Sequence, residues 1–318
     1  MNSSDSRGRP VSYNLGDPGF GLGVQFTYDA QGRLATKTTA QMKQTYVFDP
    51  NSGNLSSRDY RTAGSQTGLY ESFGYDALNR LTSSTIGNNT ASVTYSANGN
   101  ISTKSNVGGY TYDPTKVNAV SNINVSGGTI DPAQQTITYN ASNLTTQIKL
   151  GATEYNIKYN PFNERIKTVN NIDAVTKYYS GNYEMKIKGG VSKEYHYINS
   201  PYGLVAIIES IGTAIQNTWY AETDHLGSII GLLRSDKSYA EKLSFDAWGK
   251  RRNPLTWTYQ GFIPPTLIDR GFTGHEHLDS LGLINANGRM YDPVIGRFLG
   301  VDPLVADGDN SQSFNSYS

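Results

Sequence analysis

The sequence predicts an all-β fold in which antiparallel hairpins join into a curved, spiralling sheet, and three observations carry that expectation. First, an aromatic residue followed by an aspartate or asparagine and a turn recurs along the chain. The cleanest copies are YDAQGRL at 28–34 and YDALNRL at 75–81. Looser copies start at Phe48, Tyr95, Tyr112, Tyr139, Tyr159 and Phe245. Their spacing clusters near about twenty residues, a period that usually marks a stacked or spiralling array. Second, only 17% of residues are charged, and Gly (33) and Tyr (23) are abundant, as suits a large, part-wet β-sheet. Third, no convincing amphipathic helix longer than a few turns is visible, the best short candidate being 303–307.

Each unit reads as strand, turn, strand. VQFTY at 24–28 ends a strand on an aromatic anchor, and aromatic and β-branched residues favour a pleated surface. Asp29 to Gly32 and Asp76 to Asn79 make the turns, where Asp bonds its own backbone and Gly tolerates positive φ. Arg33 or Arg80 then precedes a leucine that opens the returning strand. A lone hairpin is marginal in water, so the units must share one sheet, with Tyr28, Tyr75 and their equivalents stacking between neighbours. The Asp and Arg of each motif read as turn chemistry plus a local ion pair.

Taken in order, residues 1–23 are rich in Gly, Ser and Pro and read as loosely ordered. Repeats dominate 24–220, with a weaker stretch at 121–132, and the motifs change over 221–318. Within that last part, 252–266 contains Pro254, Pro264 and Pro265 and reads as a long irregular loop. Because no repeat is legible upstream of Val24, the strand at 24–28 is expected to be an open edge available for self-association.

Composition excludes several functions. Lys plus Arg (27) balance Asp plus Glu (27), so no global charge favours nucleic acid or an anionic membrane. With no cysteine there is no disulfide, thiolate metal site or cysteine nucleophile. No apolar run approaches the roughly 20 residues needed to span a bilayer, and MNSSDSRGRP lacks a signal core. No phosphate loop or dinucleotide fingerprint is present, so no cofactor is expected.

Three blocks make the reading specific: TDHLGSIIGLLRSDKSYAEKLSFDAWGKRR at 223–252, GFTGHEHLDSLGLINANGRMYDP at 271–293 and VIGRFLGVDPLVADGDNSQSFNSYS at 294–318. With the repeats, they resemble the Rhs/YD-repeat family and its repeat-associated core domain. The resemblance implies a β strip spiralling into a hollow shell that the core domain closes or plugs. Members include bacterial polymorphic toxins, C components of insecticidal toxin complexes, and teneurins. In the toxins the shell encloses a variable C-terminal toxic domain, and in many the core domain cleaves the chain just beyond itself with aspartates. Teneurins use the shell for adhesion. Relative to the family, 318 residues make only part of a shell, and the usual scissile segment is expected beyond Ser318.

The resemblance implies a structural shell component of a toxin-delivery system, secreted or at the cell surface by a route not encoded in this chain. Its expected partners are a toxin cargo or a secretion-apparatus protein. Two other readings stand beside it: an aspartic autoprotease that frees a downstream domain, and an adhesion or carbohydrate-binding scaffold. Asp292 and Asp302 match the family's C-terminal motif and are the candidate catalytic carboxylates, although Asp-Pro is also a turn signal. Arg297 is expected to clamp this segment through a carboxylate, Asp302 being one candidate, with Tyr291 and Gly296 as structural motif residues. Asp224, His225 and Gly227 read as a buried turn with satisfied hydrogen bonds. His275, Glu276, His277 and Asp279 look superficially like metal ligands but read as structural.

Overall fold

The computed structural model describes residues 3–16, 21–125, 128–130, 135–302 and 315–317. Among these the chain is an antiparallel meander. Thirteen strands, from Ser3–Ser4 to Gly128–Ile130, pair in strict sequence order in a first sheet. Eleven more, from Gln135–Tyr139 to Tyr239–Lys242, form a second, and Glu276–Leu278, Leu283–Asn285, Met290–Asp292 and Arg297–Phe298 form a small third. The large sheets stay open and do not close into a barrel. The short helix read at 303–307 lies outside the described residues.

One turn geometry builds the strip. In the Asp29 turn, the Asp29 N–H donates to Arg33 O and the Gly32 N–H donates to Asp29 O. The Asp29 carboxylate accepts from the Arg33 N–H (2.8 Å) and from its Nε (2.7 Å). Asp76 repeats this with Asn79 and Arg80, and asparagines at 140 and 160 repeat its backbone part. The fourth residue always sits in the left-handed region: Gly32 at φ 89°, Asn79 at 60°, Asn163 at 64°. That residue makes the bulge of a three-residue hairpin loop, and the strand register slips at the aromatic anchor, between Thr27 and Tyr28 and between Gly74 and Tyr75.

Successive hairpins are tied by those anchors. The Tyr28 hydroxyl donates to Pro10 O, Tyr75 to Leu55 O, Tyr95 to Leu81 O, Tyr112 to Ile101 O and Tyr159 to Thr145 O, all within 2.8–3.0 Å. Each acceptor opens the returning strand of the preceding unit. The motif arginine adds a second tie, lying over the next anchor's ring: Arg9 over Tyr28 at 4.1 Å, Arg33 over Phe48 at 4.9 Å, Arg80 over Tyr95 at 4.3 Å. Phe48 has no hydroxyl, and there Arg33 reaches across to Asp49 O instead (3.0 Å).

Two expectations are corrected at the N-terminus. Residues 1–23 include the strand Pro10–Leu15, which pairs with Leu22–Tyr28, and Asp5 to Arg9 form another complete motif turn. The strand carrying residues 24–28 is therefore covered on both sides, and the outermost strand is Ser3–Ser4. The sequence DSRGR lacks an aromatic anchor, which hid this unit from pattern reading.

The core lies where residues 243–299 pack on the two large sheets. Tyr195, Tyr197, Ile207 and Trp219 of the second sheet enclose Phe245 and Ile268. Ile148, Tyr155 and Ile157 of that sheet pack on Leu278, Leu283 and Met290, and Val107 and Ile123 of the first sheet pack on Ile295. Leu22 and Val24, from the start of the first sheet, meet Leu233 near the end of the second.

Candidate functional site

Beside these apolar clusters, the strip meets the C-terminal segment through buried polar and charged side chains. Glu71 (1% exposed) accepts from Arg58 Nη2 at 2.7 Å and pairs with Arg252 Nη2 at 2.8 Å, so a strand of the first sheet grips the C-terminal segment through one shared carboxylate. Arg58 also donates to Phe245 O. Burial would raise the Glu71 pKa, but the two guanidiniums overcome it and hold the carboxyl below its usual range. Lys37, also buried, donates to Thr223 O and Oγ1, both at 2.9 Å; burial pushes its pKa down to about 8 against the pull of Glu222 and Asp224.

On the second sheet, Glu276 accepts from Arg165 Nη1 (2.5 Å), Lys177 Nζ (2.6 Å) and the Tyr179 hydroxyl, while Asp269 pairs with Lys177 and Lys186. Both carboxyls are held low: burial opposes ionisation, but Lys177 and its neighbouring cations outweigh it. The HEH motif is thereby explained. Glu276 clamps the second sheet, the His277 Nε2 accepts from the Phe272 N–H, and the His275 Nδ1 bonds Thr273 Oγ1. Among the described residues no group of three His, Asp or Glu is placed to hold a metal.

The Asp224 turn repeats the motif geometry: Asp224 Oδ1 accepts from the Leu226 and Ser228 N–H groups, and Gly227 sits at φ 79°. Only Asp224 matches the expected buried, satisfied turn. Gly227 is at the exposed tip. His225 packs on Tyr46, ring centroids 4.5 Å apart, with its buried Nδ1 lacking a hydrogen-bond partner among the described residues; burial lowers its pKa.

The candidate aspartates take different partners. Asp292 is half-buried at a cleft of about 430 Å³, its Oδ1 accepting from the Val294 and Ile295 N–H groups (2.8 and 3.2 Å). Burial raises its pKa, opposed by those N–H groups and by Lys104 and Lys250. Asp302 pairs with Arg289 Nη2 at 2.8 Å, which replaces the expected pairing with Arg297. Arg297 is buried (4% exposed) near Tyr112 and Tyr95, and its Nε has no hydrogen-bond partner among the described residues. Tyr291 packs its ring on Phe298 at 5.2 Å. Gly296 is at φ 67° under Trp248, where a Cβ would lie 2.6 Å from the indole.

Residues 315–317 return to this cleft. The Phe298 N–H donates to Tyr317 O (3.1 Å), the Asp302 N–H to Ser316 O (2.8 Å), and Tyr317 lines the cleft with Asp292 and Arg297. Sequence reasoning missed Lys104 and Tyr110, whose Nζ and hydroxyl donate to Val294 O (2.7 Å) and Ile295 O (2.8 Å). It also missed the shared Glu71. The partners of Lys104 and Tyr110, and Arg252 as the second partner of Glu71, are more than 180 positions away, so no local pattern marks these contacts. The arrangement offers a half-buried carboxyl with an elevated pKa beside a returning stretch of the same chain.

No family model matches the chain. It is 25% identical over 213 residues to the tRNA(Glu)-specific nuclease WapA of Bacillus subtilis subsp. natto, covering 64% of this chain and 9% of that protein. Its fold is similar to those of TcdB2-TccC3-TEV (TM-score 0.65, 16% identity) and TcdB2-TccC3-Cdc42 (0.66, 15%), each over 99% of this chain and 20% of the other. The Photorhabdus luminescens Tc holotoxin pore matches over 100% of this chain with TM-score 0.54 and 15% identity. At these identities the likeness is one of fold. The chain spans about a fifth of the solved chains it matches and about a tenth of the nuclease.

Proposed function

We propose that this chain is a structural shell component of an Rhs-type toxin or toxin-complex delivery system and works outside the cell that makes it. The observation that carries this reading is the interlocked strip itself. Hairpin is tied to hairpin through Tyr28, Tyr75, Tyr95, Tyr112 and Tyr159, and residues 243–299 of the same chain pack on one face of the strip. A wall held by repeated inter-hairpin bonds resists opening without needing a closed barrel. The likeness in fold to Tc toxin chains and the similarity to part of a tRNA(Glu)-specific nuclease support it.

Limited proteolysis of the full polypeptide encoded at the locus tests this role. Enclosure predicts that any segment the shell holds in that polypeptide resists trypsin under native conditions and becomes cleavable in mild denaturant. Equal cleavage in both conditions would count against enclosure.

Asp292 favours a second reading, that of an aspartic autoprotease acting on a longer chain. Its elevated pKa suits a carboxyl that shares or donates a proton, and Tyr317 reaches its cleft. In that reading Asp292 and Asp302 act together on a peptide bond downstream. Asp292→Asn and Asp302→Asn variants of the full polypeptide should each remain uncleaved while the parent matures; cleavage of both variants would remove the reading.

A further inference from the structure

We propose that residues 298–302 form a strap latched by Tyr139, and that releasing this latch opens the Asp292 cleft while both large sheets stay folded. The two sheets are separate hydrogen-bonded units, the first reaching Gly128–Ile130 and the second starting at Gln135–Tyr139. Residues 290–299 bridge them. Lys104 and Tyr110 of the first sheet hold the carbonyls of Val294 and Ile295, and Tyr139 of the second holds Leu299 O at 2.7 Å. Leu299 packs on the apolar clusters of both sheets.

The two sides of this bridge differ in how the chain is hydrogen-bonded. On the first sheet two donors act on adjacent carbonyls, and the neighbouring Ile295 is buried with Val107 and Ile123. On the second sheet one hydroxyl holds one carbonyl of the strap, while Met290 and Leu299 of the bridge pack on the cluster of Ile148, Tyr155 and Ile157. Tyr139 is 40% exposed and belongs to the terminal strand of its sheet, where local opening costs least. It also departs from the other anchors, because Tyr28, Tyr75, Tyr95, Tyr112 and Tyr159 bond within their own sheet and Tyr139 bonds the strap. Gly300 lies against its ring, with room for a Cβ only at 3.3 Å.

The strap carries the returning chain with it. Phe298 and Asp302 hold Tyr317 and Ser316 through backbone bonds, and Arg289 ties Ser316 O to the Asp302 carboxylate. Tyr139, Leu299, Gly300, Val301 and Tyr317 wall the cleft that Asp292 and Arg297 line, so moving the strap uncovers both. The inference concerns access to the cleft and holds whether Asp292 is a catalyst or a turn residue.

Hydrogen exchange read by mass spectrometry on Tyr139→Phe, with Tyr159→Phe as control, tests it. In Tyr139→Phe, peptides covering 298–302 and 315–317 should exchange roughly tenfold faster, near the upper effect of one lost hydrogen bond. Peptides covering 42–48 and 153–159 should be unchanged. Gly300→Ala, which presses a methyl group on the Tyr139 ring, should give the same pattern. Tyr159→Phe should loosen its own hairpins and leave the strap as it was. Faster exchange spread over the whole chain, or none at 298–302 in either Tyr139→Phe or Gly300→Ala, would overturn the latch.

Discussion

The guanidinium of Arg80 lies 4.3 Å above the ring of Tyr95, while its Nε holds Asp76 at 2.7 Å. One side chain thus closes its own turn and seats the anchor of the next hairpin. The Tyr95 hydroxyl in turn donates to Leu81 O, the residue directly after Arg80. Repetition of this unit lets consecutive hairpins adopt one spacing with little apolar burial on each. The following consequences are measurable.

Tyr75→Phe removes the bond to Leu55 O and leaves the ring in place. It should lower unfolding free energy by about 0.5–1.5 kcal/mol, whereas Tyr70→Phe, at a 53% exposed ring, should change it little. Urea denaturation followed by tryptophan fluorescence separates the two. Equal effects would show that the inter-hairpin bond contributes nothing.

Glu71→Gln leaves two buried guanidiniums, Arg58 and Arg252, without their shared carboxylate. A broken buried ion pair typically costs about 3–5 kcal/mol, so a fall in midpoint much larger than that of Tyr75→Phe is expected. A Glu71→Gln protein as stable as the parent would mean that the cluster does not hold the C-terminal segment.

Gly296→Ala places a methyl group 2.6 Å from the Trp248 ring at a residue with φ 67°. Strain and overpacking together should destabilise by about 1–3 kcal/mol or more. Gly282→Ala, also at positive φ but with open space around it, should pay only the conformational part. Thermal melts of the pair make the comparison, and equal losses would refute close packing at Gly296.

Stability should fall steeply above pH 10. Burial raises the Tyr13, Tyr95 and Tyr139 hydroxyls to about 12, and Tyr46, Tyr179 and Tyr197 further. Above the unfolded tyrosine pKa of 10.0 the unfolded chain loses protons that the native state keeps, so stability present below pH 10 is lost as pH rises through the folded values. Lys37 acts oppositely between about 8 and 10.5, where its buried ammonium discharges in the fold first, and it offsets little against many tyrosines. Unfolding free energies at pH 8, 10 and 11.5 test the sign. A rise from pH 10 to 11.5 would contradict the burial of these hydroxyls.

The fold was legible because its signal is local. The pairing of Asp29 with Arg33 and the left-handed Gly32 lie within five residues, so the motif spells out the turn. The unit at Asp5 escaped for want of an aromatic anchor, and Arg234 to Ser238 escaped because an arginine stands where the turn acid belongs. The interior was illegible for a different reason. Its strip face carries Lys37, Gln44, Arg58, Glu71 and Lys177, which read as solvated until their partners at 223–276 fold over them. Proximity in sequence made Arg297 a candidate partner for Asp302, whereas the fold pairs Asp302 with the more distant Arg289.

Single-particle electron cryomicroscopy of the full polypeptide encoded at the locus tests the central claim most directly. A shell role predicts that the strip of residues 3–242 continues into a hollow β wall, with residues 243–299 on its inner face and density for an enclosed segment. A strip that stays open, with residues 243–299 facing solvent and any downstream segment outside, would contradict it.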